Sequence, residues 1–367
     1  MKTSGFAVNN KISLRQLQAL FLLEIFGFGV TALPRRVAGD AGQDGWLSVL
    51  LATVYIAAAV ALMAYVTKKF AGHSFYHMAG RILGRPLGTC VALLLCLRLV
   101  FMAAFNLRIF AEITRQTMLP ATPFAVVFVS MLLIAAYGAA KGIESRARVA
   151  EVLIPIVLLP LIVVFGISGR DIDFTNLAPV FAAPIQGIAA GSFSAFFAFS
   201  GIEMLLLLGP FLSRPKHLAK SSIQIVATIG ILMTLVTIMT IARFGPSGVV
   251  HQMWPVLKMM DTISLPGSVI DRQGALIMTF WIISAYATIN AALFFSSLLL
   301  KDIMRAGRHT HYILALIPII ALAANWPSNL AQVYEYFNMA NITLGAATMA
   351  GVPLLLFVLA KIRRAAP

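Results

Sequence analysis

Two short glycine-containing segments, each inside a long apolar run, carry the residues best suited to bind a ligand. The first covers residues 25–34 and the second covers residues 197–203, about half the chain later. Glycine inside a helix costs more backbone entropy than alanine. In hydrocarbon, an unwound backbone group without a partner costs several kcal/mol, roughly. A helix break therefore persists only where it faces protein or a cavity, and in transporters that cavity usually holds the substrate.

The chemistry available at such breaks is that of helix ends. We expect half-helices to begin after Gly29 and after Gly201, so that their free N–H groups suit a carboxylate while the opposing carbonyls suit an ammonium. A zwitterionic amino acid fits both; the alternative is a pair of kinked structural helices whose glycines allow close packing. The candidate ligand-binding residues are Gly27, Phe28, Gly29, Val30, Phe199, Ser200, Gly201 and Tyr286.

Among the charged residues inside the apolar runs, three form a second set of candidates, for coupling: Glu24, Arg98 and Glu203. Glu24 and Arg98 each lie roughly 16 Å into their spans at 1.5 Å per residue. An unpaired Arg at that depth is costly, so Arg98 is expected to pair with Glu24 or, as second choice, with Glu203. The pair is either purely structural or rearranged by ligand. Ser200 and Glu203 also have the spacing of a capping box, the alternative to a proton or ligand site.

The elements that position these residues are membrane helices. The chain has 367 residues, of which 60% are hydrophobic and 11% charged, with a mean hydropathy of +0.91. Apolar runs of bilayer-spanning length recur throughout, which indicates a single all-α membrane domain rather than a soluble fold. The sequence predicts ten spans, at 13–39 (broken), 43–67, 87–118, 123–140, 149–168, 185–210 (broken), 218–244, 272–300, 311–325 and 341–361.

The distribution of basic residues predicts the orientation. Most of the 28 Lys and Arg residues fall at the two termini and in every second loop, which places both termini in the cytoplasm. The net charge of +15 is therefore assigned to topology and lipid rather than to nucleic acid. With this orientation the two broken spans run in opposite directions, and each begins one half of a five-plus-five inverted repeat. The sequence has no pattern typical of an enzyme, a metal site or a cofactor site.

Several stretches, in order and spacing, resemble a known family: 27–30, 45–48, 107–112, 119–123, 142–148, 171–174, 197–203 and 271–273. The segment 197–203 looks like the sixth-helix break of amino acid/polyamine/organocation transporters. More specifically, the chain resembles the spore germination permeases, the B subunits of endospore germinant receptors. This resemblance implies a ten-helix fold of the leucine-transporter type in the spore inner membrane. It also implies an A-type membrane subunit and a C-type lipoprotein as partners.

Three functional hypotheses follow from the same central cleft. The leading one is a sensor, in which a small germinant, expected to be an amino acid, shifts a conformational equilibrium. The alternatives are an amino acid permease coupled to protons or sodium, and a ligand-gated ion pore.

Overall fold

The chain is all-helical in the part described by the structure, a computed structural model that covers residues 10–168, 172–261, 273–305 and 307–363. Its helices of seven or more residues are labelled α1 to α14 in chain order. They are Leu14–Phe21, Leu33–Ala41, Gly45–Lys69, Phe75–Leu83, Arg85–Ile113, Phe124–Ala140, Gly142–Ser168, Ile185–Phe196, Leu218–Val250, Pro255–Asp261, Gln273–Met304, His309–Asn325, Leu330–Ala340 and Val352–Ile362.

Within the described residues, five helical stretches are long and apolar enough to cross a membrane. They are Leu33–Lys69, Arg85–Gln116, Pro215–Val250, Thr279–Met304 and Leu330–Ile362. Phe124–Ala140 and Gly142–Leu159 pass the same test together, bent by 117°, and would make a sixth if counted as one span. The apolar helices Ile185–Phe199 and His309–Asn325 are shorter. The structure is thus an all-helical membrane protein with five or six candidate spans by this measure.

Helix α11 lies at the centre of the bundle. In its most apolar window 78% of the residues are buried, compared with 33% for Leu330–Ile362. Its large side chains Phe280, Trp281, Phe294 and Phe295 are among the most buried in the described chain. A helix that is apolar on all sides and buried on all sides is expected to be a core element, around which the others pack.

Three helix bounds differ from the sequence prediction in an informative way. The span expected from residue 149 belongs to α7, which begins at Gly142, so residues 142–148 are helical rather than a loop. The span expected to end at 244 continues as α9 to Val250 through a kink at Gly245, where φ is 68°. The last predicted span, 341–361, consists of π-helical turns Asn341–Gly345 and Ala347–Gly351 followed by α14.

The two broken helices are tied together at one end. The extended segment before α1 pairs with the segment after the second break, since the Ile12 N–H donates to the Phe211 carbonyl at 2.7 Å. The Ser213 N–H donates back to the Ile12 carbonyl at 3.1 Å, and Lys11 Nζ donates to the Pro210 carbonyl at 2.6 Å. These three hydrogen bonds join the segment before the first broken helix to the segment after the second.

Candidate functional site

The first break lies between Val30 and Ala32. Helix α1 passes through a π-helical turn, Leu22–Phe26, and a last helical turn, Gly27–Gly29, before the chain bends and α2 begins at Leu33. The predicted start directly after Gly29 is therefore wrong by a few residues. Pro34 explains the shift, because its ring conflicts with the carbonyl four residues earlier, at Val30, and it has no N–H to donate.

The glycines before this bend serve packing. Gly27 and Gly29 both lie in the helical turn Gly27–Gly29. A Cβ added at Gly27 would collide with Ser284 of α11, and one at Gly29 would collide with the carbonyl oxygen of Ala198. The close-packing interpretation of these two glycines is the one that the geometry supports.

The second break lies at Ser200 and Gly201. Helix α8 continues as a 3₁₀ turn, Phe197–Phe199, after which Ser200 adopts φ −54° and ψ 132°. Gly201 has φ 109°, a left-handed conformation that L side chains rarely adopt, and a second 3₁₀ stretch then covers Ile202–Leu207. The predicted half-helix start after Gly201 agrees with the structure.

The two breaks meet at a partly enclosed cavity of about 60 Å³. Gly29 and Ala198, from the two breaks, both line it, as do Glu24 and Ser200. The bend of the first broken helix adds Thr31, Ala32 and Leu33. This volume exceeds the space that a single water occupies and holds a few waters or a small solute.

Sequence reasoning placed more residues at this cavity than the structure does. Among the described residues, Gly27, Val30, Phe199, Gly201 and Tyr286 do not line it. Tyr286 instead places its hydroxyl beside Gly138 on α6. The side chain of Phe28 lies outside the described part of the structure. A role of these residues in ligand binding stays a prediction.

Arg98 is fully buried at the second break. Its guanidinium donates to the Ser200 hydroxyl and, at 2.7 Å, to Asn341 Oδ1 in the π-helical turn Asn341–Gly345. Its Nε lies 3.6 Å from Glu203 Oε1, and both side chains are fully buried. The first-choice partner Glu24 is therefore wrong, and the second choice, Glu203, is the one present. Equal depth in the membrane did not place Glu24 and Arg98 side by side, because they belong to different clusters.

Glu203 does not complete the predicted capping box. Its Oε2 accepts the Gly201 N–H at 2.8 Å, and no side-chain cap bond is present at the start of Ile202–Leu207. The Ser200 hydroxyl is bonded to Arg98 instead. Because Glu203 occupies the Gly201 N–H, this donor, which the sequence assigned to a ligand carboxylate, is already satisfied.

Glu24 pairs with Arg146 of α7, a residue that sequence reasoning assigned to a loop. Both side chains are buried, and Arg146 Nε donates to Asn290 Oδ1 at 2.5 Å. Thr288 Oγ1 donates to the Glu24 backbone carbonyl at 3.0 Å. The missed signal was periodicity, because Ile143, Ala147, Ala150 and Val157 are buried on the same face of α7 as Arg146.

Aromatic and polar residues that the sequence did not single out form the far wall of the cavity. Trp254 Nε1 donates to the Tyr334 hydroxyl at 2.7 Å, which links the segment before α10 to α13. Asn106, Arg36 and Trp281 also line the cavity. The described residues contain no group of three or more His, Cys, Asp or Glu that could hold a metal ion. The arrangement suits reversible binding of a small polar solute.

The fold identifies the class of protein. The crystal structure of MhsT in complex with L-phenylalanine superimposes with a TM-score of 0.67, covering 95% of this chain and 88% of that chain, at 14% sequence identity. The chain is thus an all-helical membrane protein with a transporter-like fold of the leucine-transporter type.

The family follows from the sequence. The family model described as "Spore germination protein" matches residues 11–333, so the chain belongs to the spore germination permease family, whose members are not enzymes. Spore germination protein YndE of Bacillus subtilis (strain 168) is 24% identical, covering 98% of this chain and 99% of that protein. Spore germination protein B2 of the same strain is 24% identical, covering 95% and 94%.

Proposed function

We propose that this chain is the nutrient-sensing B-type subunit of a spore germinant receptor and that a small amino acid binds in the cavity between the two helix breaks. The observation that carries the proposal is this cavity, which is bounded by both breaks in a chain of the spore germination family. The superimposable MhsT structure holds L-phenylalanine, an amino acid, in a fold of the same type. The small volume of the cavity favours an amino acid with a short side chain.

The polarity of the cavity supports a zwitterion. Helix α2 begins at Leu33 with no side-chain cap, and Thr31, Ala32 and Leu33 line the cavity. Free N–H groups at a helix N-terminus bind anions, so the carboxylate is assigned there, with Arg36 nearby. The ammonium is assigned to the backbone beside Ala198 and to the Ser200 hydroxyl on the opposite wall.

Ser200 connects the cavity to the buried cluster of Arg98 and Asn341, to which we assign the signal. Its hydroxyl lines the cavity and also accepts a hydrogen bond from Arg98, which in turn reaches Asn341. π-Helical turns inside a helix often mark functional sites, and Asn341 opens one. A ligand that competes for Ser200 would favour one arrangement of this cluster over another, as a conformational signal requires. An A-type membrane subunit and a C-type lipoprotein would receive it in the spore inner membrane.

The proposed topology has ten spans in two inverted halves of five, with helices 1 and 6 broken and both termini in the cytoplasm. Lys216 and Ser247 lie near opposite ends of α9 and are both exposed. In a chain with Cys90 and Cys96 replaced by alanine, a cysteine at Ser247 is expected to react with an impermeant thiol reagent in intact cells. A cysteine at Lys216 is expected to react only after permeabilisation. Labelling of Lys216→Cys from outside would reverse the orientation.

The site is tested with a panel of amino acids. Each is added to the purified protein, and the change in its thermal stability is measured. A ligand at one hundred times its Kd stabilises the folded state by about 2.7 kcal/mol. Ser200→Ala is expected to weaken this stabilisation. Ser192→Ala is the matched control, since Ser192 is buried on the same broken helix, does not line the cavity, and donates to the Ala189 carbonyl at 2.7 Å. Equal ligand response in both variants would move the site away from the breaks.

The second candidate function is an amino acid permease coupled to protons or sodium. The transporter-like fold and the placement of Glu24 on the cavity wall favour it. Uptake of a labelled amino acid into liposomes containing only this chain would support the permease. Ligand-induced stabilisation without uptake would support the sensor.

A further inference from the structure

A second, larger cavity of about 750 Å³ lies at the end of the molecule that carries α4, the first turn of α5 and the end of α11. Three arginines from these three elements line it, namely Arg81, Arg85 and Arg305. Asp302 is the one acidic residue of its described lining, and Ser74 and Tyr76 add hydroxyl groups. This cavity shares no lining residue with the one between the breaks.

Residues near this cavity add further positive charge to it. Arg363, near the end of the chain, donates to the Ile82 carbonyl of α4 at 2.9 Å and so brings a further cation to this helix. The rings of His73 and His77 stack at 4.8 Å between centroids. Burial lowers the pKa of His77, and His73 and Arg81 lower it further. Burial disfavours a charge of either sign, so only the contribution of the neighbouring cations to this shift reflects positive charge at the cavity.

Exposed apolar side chains flank the arginines. Leu87, two residues after Arg85, is 60% exposed, and Met304, directly before Arg305, is 64% exposed. Guanidinium groups that face an open cavity beside outward-facing apolar side chains match a molecule with an anionic head and hydrocarbon tails. Positively charged loops that serve only to orient the chain have no need to converge on one cavity.

We propose that this cavity binds the phosphate group of an anionic phospholipid. Arginine forks bind phosphate oxygens in pairs, and basic pockets between membrane helices are recognised sites for lipid head groups. Leu87 and Met304 would then lie against the acyl chains. The proposed orientation of the chain would place this lipid in the cytoplasmic leaflet. The binding of the lipid itself does not depend on that orientation. It needs no germinant, so its test is independent of the central cavity.

The test is thermal unfolding of the detergent-purified full chain titrated with short-chain phosphatidylglycerol, with phosphatidylcholine of the same chain length, and with inorganic phosphate. Phosphatidylglycerol is expected to raise the midpoint in a saturable manner, while the other two have little effect. Arg81→Gln and Arg305→Gln are each expected to weaken the apparent affinity about fivefold, the loss expected for one basic residue at an anionic surface.

Arg308→Gln is the matched control, because Arg308 is exposed, lies three residues after Arg305 and does not line the cavity. If a glutamine variant fails to fold, Arg81→Lys and Arg305→Lys keep the charge and are expected to retain part of the affinity. Equal stabilisation by the two lipids, or affinity losses no larger than that of Arg308→Gln, would overturn the proposal. Protection by inorganic phosphate equal to that by phosphatidylglycerol would also overturn it, in favour of a free-phosphate site.

Discussion

Glycine has a different task at each of the two breaks. At the first break, Gly27 and Gly29 are helical, and the absence of a side chain lets them lie against Ser284 and the Ala198 carbonyl. At the second, Gly201 has space around it, with the nearest atoms to an added Cβ at 3.6 and 3.7 Å, but its φ of 109° excludes most side chains. The first break is produced by Pro34 and held by packing, while the second is produced by Gly201 itself.

The buried ion pairs near the two breaks also differ, in how directly each pair contacts its break. Arg98 and Glu203 belong to the second break directly, since they bind Ser200 and the Gly201 N–H. Glu24 and Arg146 lie before the first break, where they join the π-helical turn Leu22–Phe26 to α7. A ligand that displaces Ser200 therefore disturbs the Arg98–Glu203 pair through one hydrogen bond, whereas Glu24 lines the cavity itself and would meet a ligand directly. The second break differs in that its ion pair also holds the unwound backbone, through the Gly201 N–H.

The largest expected effect comes from a double-mutant cycle that distinguishes the two ion pairs. Arg98→Ala leaves Glu203 buried without its cation and is expected to cost about 3–5 kcal/mol of stability. Addition of Glu203→Gln should recover part of this loss, because the two residues share one interaction. Addition of Glu24→Gln should be additive, since Glu24 pairs with Arg146. Thermal unfolding in detergent measures the cycle, and additivity between Arg98 and Glu203 would contradict the pairing.

A smaller effect is expected from crowding the first break. Gly29→Ala places a Cβ against the Ala198 carbonyl and is expected to cost about 1–3 kcal/mol and to reduce ligand response, because the two breaks must separate. Gly39→Ala is the matched control in the same broken helix: Gly39 lies inside α2 with open space around it. That control should be neutral or stabilising by up to about 1 kcal/mol. Equal effects would show that Gly29 is not a packing glycine.

The smallest of the three effects is expected at the second break. Gly201→Ala forces a side chain into a left-handed conformation, at about 1–2 kcal/mol. Because the strain lies in the backbone, truncation of the neighbouring Met102 to alanine should not relieve it, and the two changes should add within about 0.5 kcal/mol. Relief by Met102→Ala in unfolding measurements would mean that Gly201, like Gly29, is selected for packing.

The bounds of some helices could be predicted from the sequence better than those of others. Helix α6, Phe124–Ala140, coincides with the predicted range 123–140, because Pro123 and the Lys141–Gly142 turn limit it on both sides. The predicted start of α7, residue 149, is too late, because residues 142–148 carry several charges and such a stretch is typical of a loop between membrane spans. The structure buries Arg146 with a partner, which makes a charged helical turn possible at this depth.

Composition and periodicity by themselves determined that the chain is a helical membrane protein with two interrupted helices. These features depend on local sequence. In hydrocarbon each segment must form its backbone hydrogen bonds within itself, and glycine or proline marks the positions where a helix is interrupted. Only the tertiary structure decided that Arg98 meets Glu203, that Glu24 meets Arg146, and that Tyr286 turns toward Gly138. Residue spacing fixes the depth of a side chain in the membrane, but the direction in which it points and the helix that it faces depend on the packing of the whole bundle.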